Sequence, residues 1–84
     1  MAEELIGQVS DFFSKPVVAG IELTGELIIG DEIHILGHTT DLTLSIESMQ
    51  INNAAVIEAK SGESVGIKVP DRVRRGDKIY KVVS

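Results

Sequence analysis

The sequence predicts an all-β fold, a single domain over residues 1–84 with six or seven short strands closed into a barrel. Two observations predict it: apolar residues alternate with polar ones at a period of two, and turn residues separate these segments at close spacing. Short alternating segments at such spacing are typical of antiparallel barrels. A chain of 84 residues has room for one small core.

A third observation is that one turn-and-strand pattern is written twice, over Leu27–Ile35 and again over Val73–Lys81. Each copy has a branched apolar residue, two variable residues, a Gly-Asp pair and an alternating strand. Glycine suits a backbone position with positive φ, and the aspartate that follows can accept hydrogen bonds from nearby backbone N–H groups. We therefore expect Gly30 and Gly76 at positive φ.

The first half of the chain reads as three strands. Leu5–Phe13 is the first, and it ends at Ser14-Lys15-Pro16, because proline cannot donate to a ladder. Val17–Leu23 is the second, with apolar residues on one face. The strand after the first Gly-Asp pair ends at Gly37, and residues 38–41 form a loop.

In the second half, the alternating segment 42–46 is followed by Met49 and Ile51 in the opposite phase. One extra residue at Glu47-Ser48 would return both sets to the core, so we expect a β-bulge there. Asn52-Asn53 turns the chain. The remaining strands are a short one around Val56, then Val65–Val69 and Lys78–Val83.

Composition excludes several classes of protein. The chain has no cysteine, so it forms no disulfide and no cysteine-ligated metal site. No segment reaches the about 20 apolar residues that span a bilayer. Glu3 and Glu4 stand where a secretory signal would be basic, so we expect a cytoplasmic protein without a membrane partner.

Charge is unevenly distributed along the chain. Residues 1–67 carry eleven acidic and two basic side chains, a net charge of −9, whereas residues 68–84 carry six basic and two acidic ones, a net charge of +4. Such asymmetry can mark a surface for an anionic partner. The alternative is a polar loop that happens to carry the cations, since the whole molecule repels a polyanion at long range.

Four short motifs, in this order, resemble the second domain of translational GTPases such as elongation factor Tu: Gly20-x-Ile-x-Leu, Gly25-x-Leu-x-x-Gly30-Asp31, Ala59-x-x-Gly62-Glu63-x-Val65-Gly66-Ile67 and Val73-x-x-Gly76-Asp77. The resemblance covers roughly residues 5–82. It implies a six-stranded Greek-key barrel of the translation-protein type. The chain is most similar to small stand-alone elongation-factor-like proteins, and similar barrels also end some collagenase-like peptidases.

The resemblance implies candidate RNA-binding residues. In elongation factor Tu, acidic residues of the barrel help to hold the 3′ end of transfer RNA, and the matching positions here are Glu47 and Glu63. Carboxylates can accept hydrogen bonds from ribose hydroxyls. The family's nearby arginine is replaced by Gln50, which removes a cationic contact. The alternative is that both glutamates are ordinary surface residues.

Contacts to phosphate would have to come from the basic segment. Its candidates are Arg72, Arg74, Arg75 and Lys78, which flank the second Gly-Asp pair.

The two copies of the repeat differ at their variable positions. Ile28 and Ile29 in the first copy stand where the second has Arg74 and Arg75. If the turns are alike, at least one isoleucine is exposed, which makes Ile28 and Ile29 candidates for a protein contact. A lone apolar residue on the surface is the alternative.

Signs of catalysis are few. The chain has no G-x-x-x-x-G-K-[ST] phosphate loop, so no nucleotide is expected. His34 and His38 are four apart but lie in a strand and beyond a glycine, so they do not align as metal ligands. No serine lies in a nucleophile elbow. We therefore expect no cofactor, no metal and no enzymatic activity.

The sequence thus predicts a non-catalytic binding module that contacts RNA, the ribosome or a translation factor. The alternative is a protein-interaction or homo-oligomerising barrel without nucleic-acid binding. Salt dependence separates the two, because binding through phosphate contacts weakens steeply as salt rises.

Overall fold

The computed structural model describes residues 2–14, 17–52 and 54–83, and within these ranges the chain forms ten β-strands and no helix. The strands are β1 (Ala2–Ser14), β2 (Val17–Leu23), β3 (Leu27–Ile28), β4 (Glu32–Leu36), β5 (Asp41–Ser45), β6 (Met49–Ile51), β7 (Ala54–Val56), β8 (Glu58–Ala59), β9 (Ser64–Lys68) and β10 (Lys78–Val83). The all-β prediction is confirmed.

Eight of these strands form one antiparallel sheet in the order β5-β4-β10-β1-β2-β9-β6-β7, and β3 pairs separately with β8. The outer strands β5 and β7 do not pair with each other in the part of the chain that the structure describes. The closed six-stranded Greek-key barrel is therefore not confirmed. Periodicity shows which residues face the core, but it leaves open which strands become neighbours.

One hydrophobic core is enclosed by these strands. Alternation along β2, β4 and β9 places every second side chain inside, as the period of a strand requires. Isoleucine dominates the core, and this β-branched residue packs well on a pleated surface. The largest fully buried side chains are Ile6, Ile21, Leu27, Ile33, Ile35, Ile46, Met49, Ile67, Ile79, Val9 and Val73.

The repeat seen in the sequence is a turn that the structure contains three times, over residues 28–31, 60–63 and 74–77. We call these the glycine-acid turns. In each, the N–H of the acidic residue donates to the carbonyl three residues earlier, at 3.1 Å. The third residue is a glycine at positive φ, namely Gly30 (96°), Gly62 (91°) and Gly76 (88°). Positive φ at this position alone is the requirement of a type II turn.

The acidic side chain closes each glycine-acid turn. Its carboxylate accepts a hydrogen bond from the backbone N–H three residues earlier: Ile28 to Asp31 (3.0 Å), Lys60 to Glu63 (2.7 Å) and Arg74 to Asp77 (2.9 Å). Hydrogen bonds to a charged acceptor are about twice as strong as neutral ones. The carboxylates are therefore structural parts of the turns.

Each turn is also bound to a buried residue of another segment. The glycine N–H donates to the carbonyl of that residue, and the residue's own N–H donates to the carbonyl of the acid, at 2.8–3.0 Å. The buried partners are Ile46 for the first turn, Leu23 for the second and Val9 for the third. Each of the three turns thus makes the same four hydrogen bonds.

One detail of the strands differs from the sequence predictions. The predicted bulge at Glu47-Ser48 is wrong: β5 ends at Ser45, and β6 starts at Met49 with β7 and β9 as partners instead of β4. The change of phase marks a change of sheet neighbours. The predicted turn around Pro16 lies at Lys15 and Pro16, outside the described residues, as does Asn53 of the second predicted turn.

Replacing the turn glycines tests the geometry. A Cβ at Gly30, Gly62 or Gly76 would meet no atom within 4 Å, so only the backbone conformation opposes alanine there. We expect each Gly→Ala variant to lower the free energy of unfolding by about 1–2 kcal/mol. Ser61→Ala, at an exposed position next to Gly62, is the control and should be neutral. Denaturant unfolding measures the stability of the glycine variants and of the control. Unchanged stability in all three glycine variants would contradict the turn geometry.

Candidate interaction surface

Three exposed isoleucines belong to the first glycine-acid turn or to the segment paired with it. Ile28 is 45% exposed, Ile29 36% and Ile57 79%. The N–H of Ile29 donates to the carbonyl of Ile57 at 3.0 Å, which extends the pairing of β3 with β8 and places these two residues opposite each other. Opposed residues of an antiparallel pair have Cβ atoms about 5 Å apart. We call Ile28, Ile29 and Ile57 the isoleucine surface.

The other two turns show that this apolar character is not needed for folding. The positions of Ile28 and Ile29 are filled by Lys60-Ser61 in the second turn and by Arg74-Arg75 in the third. All three turns make the same hydrogen bonds. The prediction that at least one of these isoleucines is exposed agrees with the structure; their role as a protein contact remains a prediction. Ile57 was missed, because an isoleucine at the end of the apolar segment 54–57 carries no signal of exposure in the sequence.

Acidic side chains border the isoleucine surface. Glu26 precedes β3, Glu32 follows the turn, and Glu58 pairs with Ile28 across the strands; all three are exposed. Two cations lie nearby: Lys60 follows β8, and the Nζ atom of Lys81 lies 3.2 Å from the carboxylate of Asp31 in the turn. A partner with an apolar centre and a basic rim would complement this surface, whereas a second copy would bring like charges together.

The two acids predicted to contact RNA lie in different settings. Glu63 is half-buried, and its carboxylate accepts the N–H of Lys60 as part of the second turn. Glu47 is exposed in the connection from β5 to β6. Among the described residues these two glutamates line no common cleft.

The predicted cations lie along the third turn and the strand after it. Arg75 forms an exposed ion pair with Asp11 at 3.0 Å, and the Nζ atom of Lys78 donates to Gln8 at 3.3 Å. Arg72 and Arg74 use their backbone N–H groups in local hydrogen bonds, and their side chains are exposed. The structure therefore places these side chains near one turn but pairs two of them with neighbours on β1.

His34 joins two carboxylates from different strands. Its Nδ1 donates to Glu3 of β1 at 2.8 Å and its Nε2 donates to Asp41 of β5 at 2.6 Å. Ionised carboxylates only accept hydrogen bonds, so the protonated imidazole is the form that can donate to both of them at once. The hydrogen bond to Asp41, then the one to Glu3, raises the pKa of His34 above its usual value of about 6.5. The sequence could not reveal this cluster, because its members are brought together only by strand pairing.

A cleft opens beside the edge strand β5. It has a volume of about 480 Å³. Its walls are the end of β5, the connection to β6 and the end of β9, through Leu44, Ser45, Glu47, Ser48, Lys68, Val69 and Pro70. We call it the edge cleft.

The described ranges hold neither a cluster of metal ligands nor a helix that could span a membrane. No group of three or more His, Asp or Glu side chains is arranged there to bind a metal ion. No helix in those ranges is long and apolar enough to cross a membrane.

Comparison with known proteins identifies similar chains among proteases. No protein-family model matches this sequence. An uncharacterized protease of Methanocaldococcus jannaschii is 49% identical over 76 residues, which is 89% of this chain and 19% of that protein. A collagenase of Porphyromonas gingivalis is 37% identical over 78 residues, 90% of this chain and 22% of that protein. The chain thus spans about a fifth of the length of these relatives.

Solved structures show the same fold. The C-terminal domain of a Geobacillus thermoleovorans protein described as a U32 peptidase superposes with a TM-score of 0.88 at 19% identity, covering 95% of this chain and 93% of that one. Its selenomethionine variant gives a TM-score of 0.86 and covers 90% of this chain. At such identity the likeness demonstrates the fold alone.

These comparisons correct three predictions. The resemblance to translation factors pointed to the wrong proteins, because the similar chains are named as a protease and a collagenase. The prediction of a module that contacts RNA or the ribosome in translation is therefore wrong. The expectation of no enzymatic activity is also contradicted, since the relatives bear the names of enzymes.

The His34 cluster makes the stability of the fold depend on pH. Because the pKa is raised in the folded state, the stabilisation is fully present below about pH 6.5 and is lost as pH rises through the folded pKa. We expect His34→Gln to remove this part of the pH dependence, measured by thermal unfolding from acid to mildly alkaline pH. The control is His38→Gln, in the exposed loop after β4. Equal pH profiles for the native chain and His34→Gln would contradict the cluster.

Proposed function

We propose that this chain is a domain of a U32-type peptidase and takes part in the hydrolysis of polypeptides. The observation that carries the proposal is the 49% identity to the M. jannaschii protease over 89% of this chain. The fold shared with the C-terminal domain of a protein described as a U32 peptidase supports it. The cytoplasmic location expected from the sequence is part of the same proposal.

The proposal includes a contact between this domain and the rest of the peptidase. The isoleucine surface is suited to that contact, because it is apolar where the two equivalent turns are polar. Its acidic border favours a peptidase body that presents an apolar contact with lysine or arginine around it. A few well-packed apolar residues are enough to dominate such an interface.

A chimaera tests this proposal. The segment of the M. jannaschii protease that matches this chain is replaced by the 84 residues of this chain, and hydrolysis of labelled casein is compared with that of the parent. We expect activity comparable to that of the parent, because an equivalent domain restores the same contacts. A folded chimaera without activity would contradict the proposed function.

Variants within the chimaera test the contact. Ile28→Lys with Ile29→Ser copies the residues of the second turn and so preserves the turn geometry. The control, Arg74→Lys with Arg75→Ser, makes the same residues at the third turn. We expect the isoleucine variant alone to separate thermal unfolding into two transitions and to weaken the interface by about 1–2 kcal/mol per lost anchor. Equal behaviour of both variants would exclude the isoleucine surface.

A further inference from the structure

The edge strand β5 has backbone groups that no other strand uses. Within the described residues it pairs on one side only, with β4. The N–H of Gly37 donates to Thr40 and that of Ile46 donates to Asp31, both at 2.8 Å, so these are hydrogen-bonded pairs of the same ladder. Hydrogen-bonded and free positions alternate along an antiparallel strand. The backbone groups that point away from β4 are therefore those of Asp41, Thr43 and Ser45.

Natural edge strands are commonly protected against pairing, and β5 has little of this protection. Lysine, proline, bulges and outward charges are the usual devices. β5 contains no lysine or proline, and its pairing with β4 runs without a bulge. Its one charge, Asp41, is held by His34. Thr43 and Ser45 are exposed.

The opposite edge of the sheet is different. β7 runs on into β8, which pairs with β3, and the carbonyl of Ile57 between them accepts the N–H of Ile29. The residues that follow β7 are thus paired, whereas β7 itself pairs only with β6 among the described residues. Of the two edges, β5 is the one beside a cleft.

We propose that the β5 edge and the edge cleft bind an extended polypeptide segment, which adds to the sheet as a further strand. The proposal rests on the proposed function, since a peptidase acts on polypeptides. Thr43 and Ser45 present donors and acceptors at the repeat of about 6.8 Å that a second strand matches. An extended polypeptide backbone offers N–H donors and C=O acceptors at that spacing.

The volume of the edge cleft and the charge of the chain favour a single strand over a second copy of this chain. Besides the end of β5, the cleft is lined by Lys68, Val69 and Pro70. A volume of about 480 Å³ lies within the range of small-ligand sites. The net charge of −5 also opposes self-association. Leu44, Val69 and Pro70 provide apolar contacts for alternate side chains of the segment.

Proline substitution gives a sharp test, because it removes one outward N–H. Ser45→Pro deletes a donor that β4 does not use, and proline is tolerated on edge strands; Ser45→Ala is the matched control. The probe is a fluorescein-labelled peptide of alternating valine and serine with a lysine at each end, followed by fluorescence anisotropy. We expect Ser45→Pro to bind about three- to tenfold more weakly and Ser45→Ala to bind like the native chain.

Amide exchange in the native chain gives a second measurement that needs no variant. Saturation with the peptide should slow the exchange of the Thr43 and Ser45 amide protons with solvent. Absence of binding, equal affinity of the proline and alanine variants, or protection elsewhere would overturn the proposal. So would sedimentation that shows a dimer of the native chain and a monomer of Ser45→Pro. Peptide binding requires no hydrolysis, so the two proposals can fail separately. An active chimaera whose domain binds no peptide contradicts this inference alone. An inactive chimaera whose domain binds the peptide contradicts the proposed function alone.

Discussion

The hydrogen bonding of the glycine-acid turns is the constraint on which the rest of the structure depends. Each turn fixes its own backbone through a carboxylate and then binds a buried residue of a distant segment: Ile46, Leu23 or Val9. The residues just before the turns, Leu27, Ala59 and Val73, are all buried in the core. A small domain hides a modest share of its surface, so paired backbone groups at these junctions matter for stability.

Part of this could be predicted from the sequence. Gly30-Asp31 and Gly76-Asp77 predicted two turns with glycine at positive φ, because no other residue adopts that conformation at so little cost. The turn at Gly62-Glu63 was missed as a repeat, since glutamate is one methylene longer, yet its carboxylate reaches the same N–H. Strand neighbours could not be predicted, because alternation is identical for every partner. The edge cleft and the His34 cluster could not be predicted either, because both depend on which strands are neighbours.

The resemblance to translation factors has a physical explanation. The motifs that carried it are the glycine-acid turns and the strands that follow them. In the structure, the carboxylates of Glu63 and Asp77 accept hydrogen bonds from backbone N–H groups. Such motifs report how a chain folds and not what it binds. Features that distinguish this chain lie elsewhere: in Ile28 and Ile29, which replace polar residues of the equivalent turns, and in the unprotected edge of β5.

Native-state hydrogen exchange measures the constraint directly. If the turns hold the core together, their amide protons exchange only when the whole domain unfolds. Their protection against exchange should then equal that of the amide of Ile33 in the core. Exchange as fast as that of the exposed Thr39 would show that the turns open locally and would contradict this account. The amides to follow are those of Val9, Leu23, Gly30, Ile46, Gly62 and Gly76.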